Sequence, residues 1–218
     1  MMMVMNETPR GTPWTFDLRG GRLCLDFANT VSGKRVTAQR ERLHDYADLV
    51  SWGRQAGALT EAQARRLLAE ARRQPADAER VFREAIALRE SLYRVFLALA
   101  QDREPGKADL EVLNAALGRA LAHRRVRRGE RCCTLGWEEV PGALDAVLWP
   151  VAASAAELLV SGDDLPRVKV CGLYQSDECG WLFLDQTKSR TRRWCSMDDC
   201  GNRAKARRHY RKVKAGAA

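Results

Sequence analysis

The stretch CGLYQSDECGWLFLDQTKSRTRRWCSMDDC, Cys171 to Cys200, and the run GNRAKARRHYRKVK that carries on to Lys214 decide how the chain is read. Cys171, Cys179, Cys195 and Cys200 stand in a C-x7-C-x15-C-x4-C order. Four thiolates complete a tetrahedral set around a borderline cation and leave no position for water, which is the donor set of a structural site. The expected cofactor is one structural Zn2+ held by these four residues. A unit this small needs such a staple to fold, and Trp181, Phe183 and Trp194 are the large apolar groups available to cover it.

Charge points to the partner. Lys188 to Ala218 holds eleven Lys and Arg against two acids, so this segment carries the whole net charge of +9. The other 187 residues hold 26 basic and 26 acidic side chains. A concentrated basic segment favours phosphate through counterion release, so nucleic acid is the expected partner, with DNA ahead of RNA or protein. The candidate contacts are Lys188, Arg190, Arg192 and Arg193 before the last two cysteines, and Arg203, Lys205, Arg207, Arg208, Arg211 and Lys212 on a helix expected over Asn202–Val213. These residues occupy too many helical angles for one narrow stripe, so most are expected to neutralise phosphates rather than read bases.

The 218 residues, 45% of them hydrophobic, can build a real core with a small appendage. Met1 to Arg10 lacks the basic start and apolar run of a secretory signal. The longest apolar stretch, Ala146 to Val160, is interrupted by Pro150, Ser154 and Glu157 and is too short for a bilayer. A cytoplasmic protein without a membrane partner is expected. An odd number of cysteines fits a reducing compartment, and Cys24, Cys132 and Cys133 need no partners. Cys132 and Cys133 are read as strand residues, one inward and one outward.

Phe16 to Val31 reads as a strand or turn leading into a short helix. Helices follow from Tyr46 to a glycine stop at Gly57, from an N-cap at Thr60 to Arg73, and from Ala76 to Gln101. The last has Val81, Phe82, Ala85, Leu88, Leu92, Val95, Phe96 and Leu99 on one stripe and should be the spine. A helix over Asp109–His123 precedes a hairpin about Arg128-Gly129, and Pro150 interrupts a further helix over Leu144–Leu159, either kinking it or marking the first turn of a second helix. Near the metal, Leu182–Thr187 and Arg192–Trp194 are read as a second hairpin, with Asn202 capping the last helix and Gly201 allowing close approach to the ion. The fold class is mainly α with a small β-hairpin. It comprises a helical N-terminal domain over residues 1–165 and a four-cysteine β-ribbon and helix module over 166–218, with the boundary at Ser161 to Arg167.

Cys171, Cys179-Gly180-Trp181, Phe183-Leu184-Asp185, Arg193-Trp194-Cys195-Ser196-Met197 and Cys200-Gly201-Asn202-Arg203-Ala204-Lys205 closely resemble the CGNR zinc finger. The N-terminal part resembles its usual companion, the ABATE domain, through Leu25-Asp26-Phe27-Ala28-Asn29-Thr30 and Trp52-Gly-x-x-x-Gly57. The resemblance covers most of the chain and implies a bacterial, stress-related transcription regulator whose finger contacts DNA. One departure is the seven-residue loop GLYQSDE between Cys171 and Cys179, longer than the family's.

A regulator needs an input, and the N-terminal domain is the place for a small-molecule effector or a homodimer contact. Asp26, Asn29 and Thr30 are polar residues in an apolar string. They serve either as caps and partners of buried backbone or, with Arg89 and Tyr93, as the polar groups of an effector pocket. Trp52 is read as core and Arg89 as an ion-pair partner. His44, His123 and His209 are far apart with no nucleophile or carboxylate at a catalytic spacing, and Gly20-Gly21 stands alone without a phosphate loop, so no enzymatic activity is expected. A thiolate deletion such as Cys195→Ser is expected to unfold the tail and leave the helical domain intact.

Overall fold

The computed structural model describes residues 15–33, 35, 40–130, 132–176 and 178–216, without the side chains at 211, 212, 215 and 216. The expectation for Met1 to Arg10 lies outside the described residues. Thr30 closes the first, short helix α1 (Leu23–Ala28), whose Cys24, Leu25, Phe27 and Ala28 are all fully buried. So short a helix cannot be stable alone, and its burial among its neighbours is what holds it. It packs against α4 (Pro75–Leu99), α6 (Trp149–Leu159) and a strand of the C-terminal module.

Local signals set the ends of the other helices, at Gly57 and Thr60 as read. Asp45 accepts from the Asp48 N–H at the start of α2 (Tyr46–Gln55), and Gly57, at φ 74°, turns the chain beyond its end. Thr60 and Gln63 form a reciprocal capping box on α3 (Glu61–Arg73). The long α4 is the spine, touching α1, α2, α3 and α5 (Lys107–Ala122), and its stripe from Val81 to Phe96 lies in the core. Pro150 does not kink a continuous helix. It occupies the first turn of α6, after a separate 3-10 turn over Leu144–Val147, where its missing N–H costs nothing.

Three antiparallel strand pairs complete the described fold: β1 (Val31–Ser32) with β2 (Arg40–Glu41), β3 (Arg124–Arg128) with β4 (Cys133–Trp137), and β5 (Val168–Val170) with β6 (Leu182–Leu184). The β3–β4 hairpin turns where expected, with Val126 opposite Leu135. Cys132 lies just before β4 and both it and Cys133 are exposed, because the hairpin projects from the body and has no inward face at that end. The second hairpin is built differently from the expectation. Leu182–Leu184 pairs with Val168–Val170, upstream of the first cysteine, and Arg192–Trp194 forms no strand. Asp185 takes the hydrogen bonds that would have continued such a ladder.

That pairing carries the C-terminal module into the main core. Val168, Leu182 and Leu184 are buried in the same cluster as Leu25, Phe27 and Trp52, while the four cysteines, Leu173 and Phe183 form a second cluster around themselves. Adjacent residues of β6 therefore face opposite cores, as strand alternation requires. Ser161 to Arg167 is a connection along the chain, but packing runs straight across it. Gly20 is the other part of this joint. Its N–H donates to Asp26 Oδ1 and its carbonyl accepts from Leu184 N–H, and a Cβ there would lie 2.8 Å from the Asp26 backbone nitrogen.

Candidate metal centre and basic surface

Cys171 follows β5 and receives a carbonyl from across the pair, its N–H donating to Trp181 O at 2.9 Å. The loop to Cys179 contains a 3-10 turn over Tyr174–Ser176, and Ser176 Oγ closes it on Leu173 O, so its extra length folds back on itself. Cys195 precedes and Cys200 lies within a π-helical turn over Met197–Gly201 that runs into α7 (Asn202–Gly216). Ser196, not Asn202, is the N-cap, accepting from Asp199 N–H at 3.3 Å, and Asn202 instead donates to Asp198 O. A Cβ at Gly201 would lie 2.6 Å from Met197 Sδ, so the turn packs closely on itself there.

These elements bring the four Sγ atoms within 4.8 Å of one another, all in buried residues. Cys179 and Cys195 are 3.7 Å apart and Cys195 and Cys200 3.5 Å. A tetrahedron with metal–sulfur bonds of about 2.3 Å has edges of about 3.8 Å, so the spacing fits a zinc-type site and is far too long for disulfides. Hydrogen bonds from Cys179, Cys195 and Cys200 hold the Cys171 thiol well below its ordinary range, while those with Cys171, Cys179 and Cys200, and burial, hold Cys195 well above it. Four neighbouring thiols share protons in this way because they cannot all ionise without a cation. A bound Zn2+ would supply that charge and lock the four segments together. Phe183 is buried against the cluster and Trp181 and Trp194 cover it, as expected.

Asp185 organises the loop that leads back to Cys195. Its carboxylate accepts from Lys169 Nζ at 2.6 Å, from Thr187 N and Oγ1, and from Arg192 N. Burial acts to raise its pKa, but these donors win and hold it well below the usual carboxylate range. Asp185 was legible only as part of the family string, and its role as a hub comes from the structure.

The basic residues divide. Arg192 lies over the Phe183 ring and donates to the carbonyls of Trp194 and Cys195, so it braces the metal loop and is not available to a partner. Arg193 lies over Trp194, with its guanidinium 5.4 Å from the ring centre, and remains exposed. Arg203 and Arg207, one helical turn apart, both pair with Glu178. Lys188, Arg190, Lys205 and Arg208 are exposed, and the side chains of Lys188, Lys205 and Arg208 have no partner among the described residues. Arg211 and Lys212 fall on α7, with side chains outside the described residues.

The five residues expected to line an effector pocket are not brought together. Arg89 is 2% exposed, bound in a fork to Glu41 at 2.6 and 2.7 Å and to Thr30 Oγ1, which makes it an ion-pair partner. Tyr93 lies under the Arg35 guanidinium. Asp26, Asn29 and Thr30 do border a cavity of about 110 Å³, but its other walls include Phe16, Trp52 and Trp181 with Asp17 and Arg42, and neither Arg89 nor Tyr93. Trp52 is fully buried as core, yet its Nε1–H has no acceptor among the described residues. Sequence reading missed this because a buried tryptophan normally has its N–H satisfied. A larger cleft of about 380 Å³ between α3 and residues 137–150 is walled by Leu59, Leu67, Trp137 and Trp149, with the exposed pair Arg66–Glu139 on its lining.

Burial pushes Asp26 up to about 6 from 3.8. The unfolded chain ionises first as pH rises, so this residue lowers stability progressively between about pH 4 and pH 6, with the full cost above that. The shift corresponds to about 3 kcal/mol, or about 2 kcal/mol after discounting for partial exposure. Asp26→Asn, which keeps the acceptor for Gly20, should therefore be about 2 kcal/mol more stable than the parent chain at pH 8 and equal to it near pH 4. Urea unfolding at the two pH values measures this, and an equal difference at both would contradict it.

Comparison with known families places these features in context. The ABATE model, described as a putative stress-induced transcription regulator, matches residues 21–162, and the CGNR zinc finger model matches residues 167–213. No curated protein matches the chain. Among the described residues, no helix is long and apolar enough to cross a membrane.

Proposed function

Since the chain belongs to the ABATE family and ends in a CGNR zinc finger, we propose that it is a transcription regulator that binds duplex DNA through the zinc-held start of α7. The observation that carries this reading is the division of the basic set. Glu178 fixes Arg203 and Arg207 on one side of α7, which leaves Lys205 and Arg208, at i and i+3, as free cations on another. With Lys188, Arg190 and Arg193 on the loop before the metal turn, they give one module several exposed charges held on a rigid frame. Such a surface suits phosphate neutralisation, with Zn2+ supplying structure alone.

The reading is of a binding protein rather than an enzyme. His44 pairs with Asp48 on the surface, His123 stacks on Trp149 with ring centres 4.1 Å apart, and burial pushes the Cys24 thiol up to about 12. Each of these groups has a structural occupation.

Fluorescence anisotropy of the zinc-loaded chain with random duplex DNA and with RNA, across a salt series, tests the proposal. Because β5 and β6 share the main core, charge variants of the full chain are the proper control. Replacing Lys205 and Arg208 by Ala should weaken binding to all duplex sequences alike and flatten the log–log salt slope by about 2 units. Preference for RNA, or no salt-dependent binding at low salt, would replace this reading with an RNA- or protein-interaction finger.

A further inference from the structure

The cavity beside α1 is lined by one unpaired buried donor and by one carboxylate that no cation pairs with among the described residues. Trp52 Nε1–H is a buried donor with no acceptor among the described residues. Buried polar groups in folded proteins are nearly always paired, so an orphan at a cavity wall marks a place for an acceptor from outside the chain. Asp26 is the converse. Its Oδ1 accepts from Gly20 N–H at 2.7 Å, and no cation pairs with the carboxylate among the described residues. Burial raises its pKa, with the Gly20 hydrogen bond acting the other way. Arg42 and Asp17 border the same cavity, so its rim carries both signs.

Size and walls narrow the class. A volume of about 110 Å³ is that of about four waters, which admits a ligand of roughly five to seven heavy atoms. Phe16, Trp52 and Trp181 provide aromatic surface, favourable to an ammonium group at close range. Trp181 also belongs to the metal module, two residues beyond Cys179, and its Nε1–H donates to Val31 O at 3.0 Å. The next residue, Leu182, is held by Asn29 through both its N–H and its carbonyl. A molecule in this cavity would touch the helical body and the zinc module together.

We propose that the cavity between α1, Trp52 and Trp181 binds a small zwitterion of the α-amino acid class, with its ammonium on Asp26 and its carboxylate on Trp52 Nε1–H, and that occupancy holds the zinc module against the helical body. This deepens the regulator reading by giving it an input, and it rests on that reading only for its biological meaning. The bound molecule satisfies the donor and the acid at once, which neither a simple amine nor a simple carboxylate can do.

Titration calorimetry of the zinc-loaded full chain with glycine, L-alanine and L-serine tests the site, with ethylammonium and acetate as half-ligands. Saturable one-to-one binding of at least one amino acid is expected, at least tenfold tighter than either half-ligand. Trp52→Phe keeps an aromatic wall while removing the donor together with three heavy atoms of the indole, and Asp26→Asn keeps the Gly20 contact. Each should weaken binding at least tenfold, and the bound amino acid should slow zinc extraction by a chelator severalfold. Absence of saturable binding, unchanged affinity in both variants, or an unchanged extraction rate would overturn the proposal. Duplex binding is read on the same sample by anisotropy. DNA binding without amino-acid binding removes this inference alone, whereas the reverse removes the regulator reading and leaves the ligand site standing.

Discussion

Cys195→Ser should abolish stoichiometric zinc binding and unfold the whole segment from Cys171 onward. Cys195 lies 3.7 Å from Cys179 and 3.5 Å from Cys200, so its loss removes one vertex of the tetrahedron and leaves three thiolates. In small zinc modules the metal supplies about 10 kcal/mol or more of the folding free energy, far beyond what a cluster of six buried residues provides. The damage should not stop at the module. Trp181, Leu182 and Leu184 return hydrogen bonds or apolar surface to Val31, Asn29, Gly20 and the main core, so α1 loses partners when the finger opens. The expectation of an untouched helical domain is thereby revised. Metal content by atomic absorption should fall from one ion per chain to near zero, with a lower thermal midpoint for the remaining helix signal. Retention of one tightly bound ion would refute the four-thiolate centre.

Asn29→Ala should be the most damaging single change outside the metal site. The Asn29 side chain is buried and spans the two parts of the chain, donating Nδ2–H to Leu182 O at 2.8 Å and accepting Leu182 N–H at 3.0 Å. Alanine leaves a buried backbone donor and a buried backbone acceptor without partners, at about 1–3 kcal/mol each. The total of about 2–6 kcal/mol is a large share of a domain's stability. Chemical unfolding should show the loss, and amide exchange should rise first at Leu182 and its β-strand neighbours. A variant that unfolds at the parent's denaturant midpoint would mean that water replaces the amide, which the packing around Leu182 argues against.

Much of this was legible because it is local. Capping at Thr60, the stop at Gly57, the stripe of α4, and the hairpin about Gly129 each depend on side chains within a few residues of one another. The four thiols were legible for a different reason: cysteine has few other uses at that spacing beside tryptophan, so residue type alone pointed to a metal. Asp26, Asn29 and Thr30 were singled out as polar residues in an apolar string, but only the fold shows that Asn29 grips Leu182, 153 residues away.

The chain by itself determined its helices, its metal donors and where its charge lies, since these follow from composition and short-range periodicity. Tertiary structure alone decided that β6 pairs with β5, that Arg192 is spent on the metal loop while Lys205 and Arg208 stay free, and that Trp52 and Trp181 meet across a cavity with Asp26. Strand partners, ion pairs and orphaned donors are properties of residues distant in sequence, set by which surfaces close over one another when the core forms. No local pattern carries that information, and here it places the zinc module on the body of the protein rather than at the end of a tether.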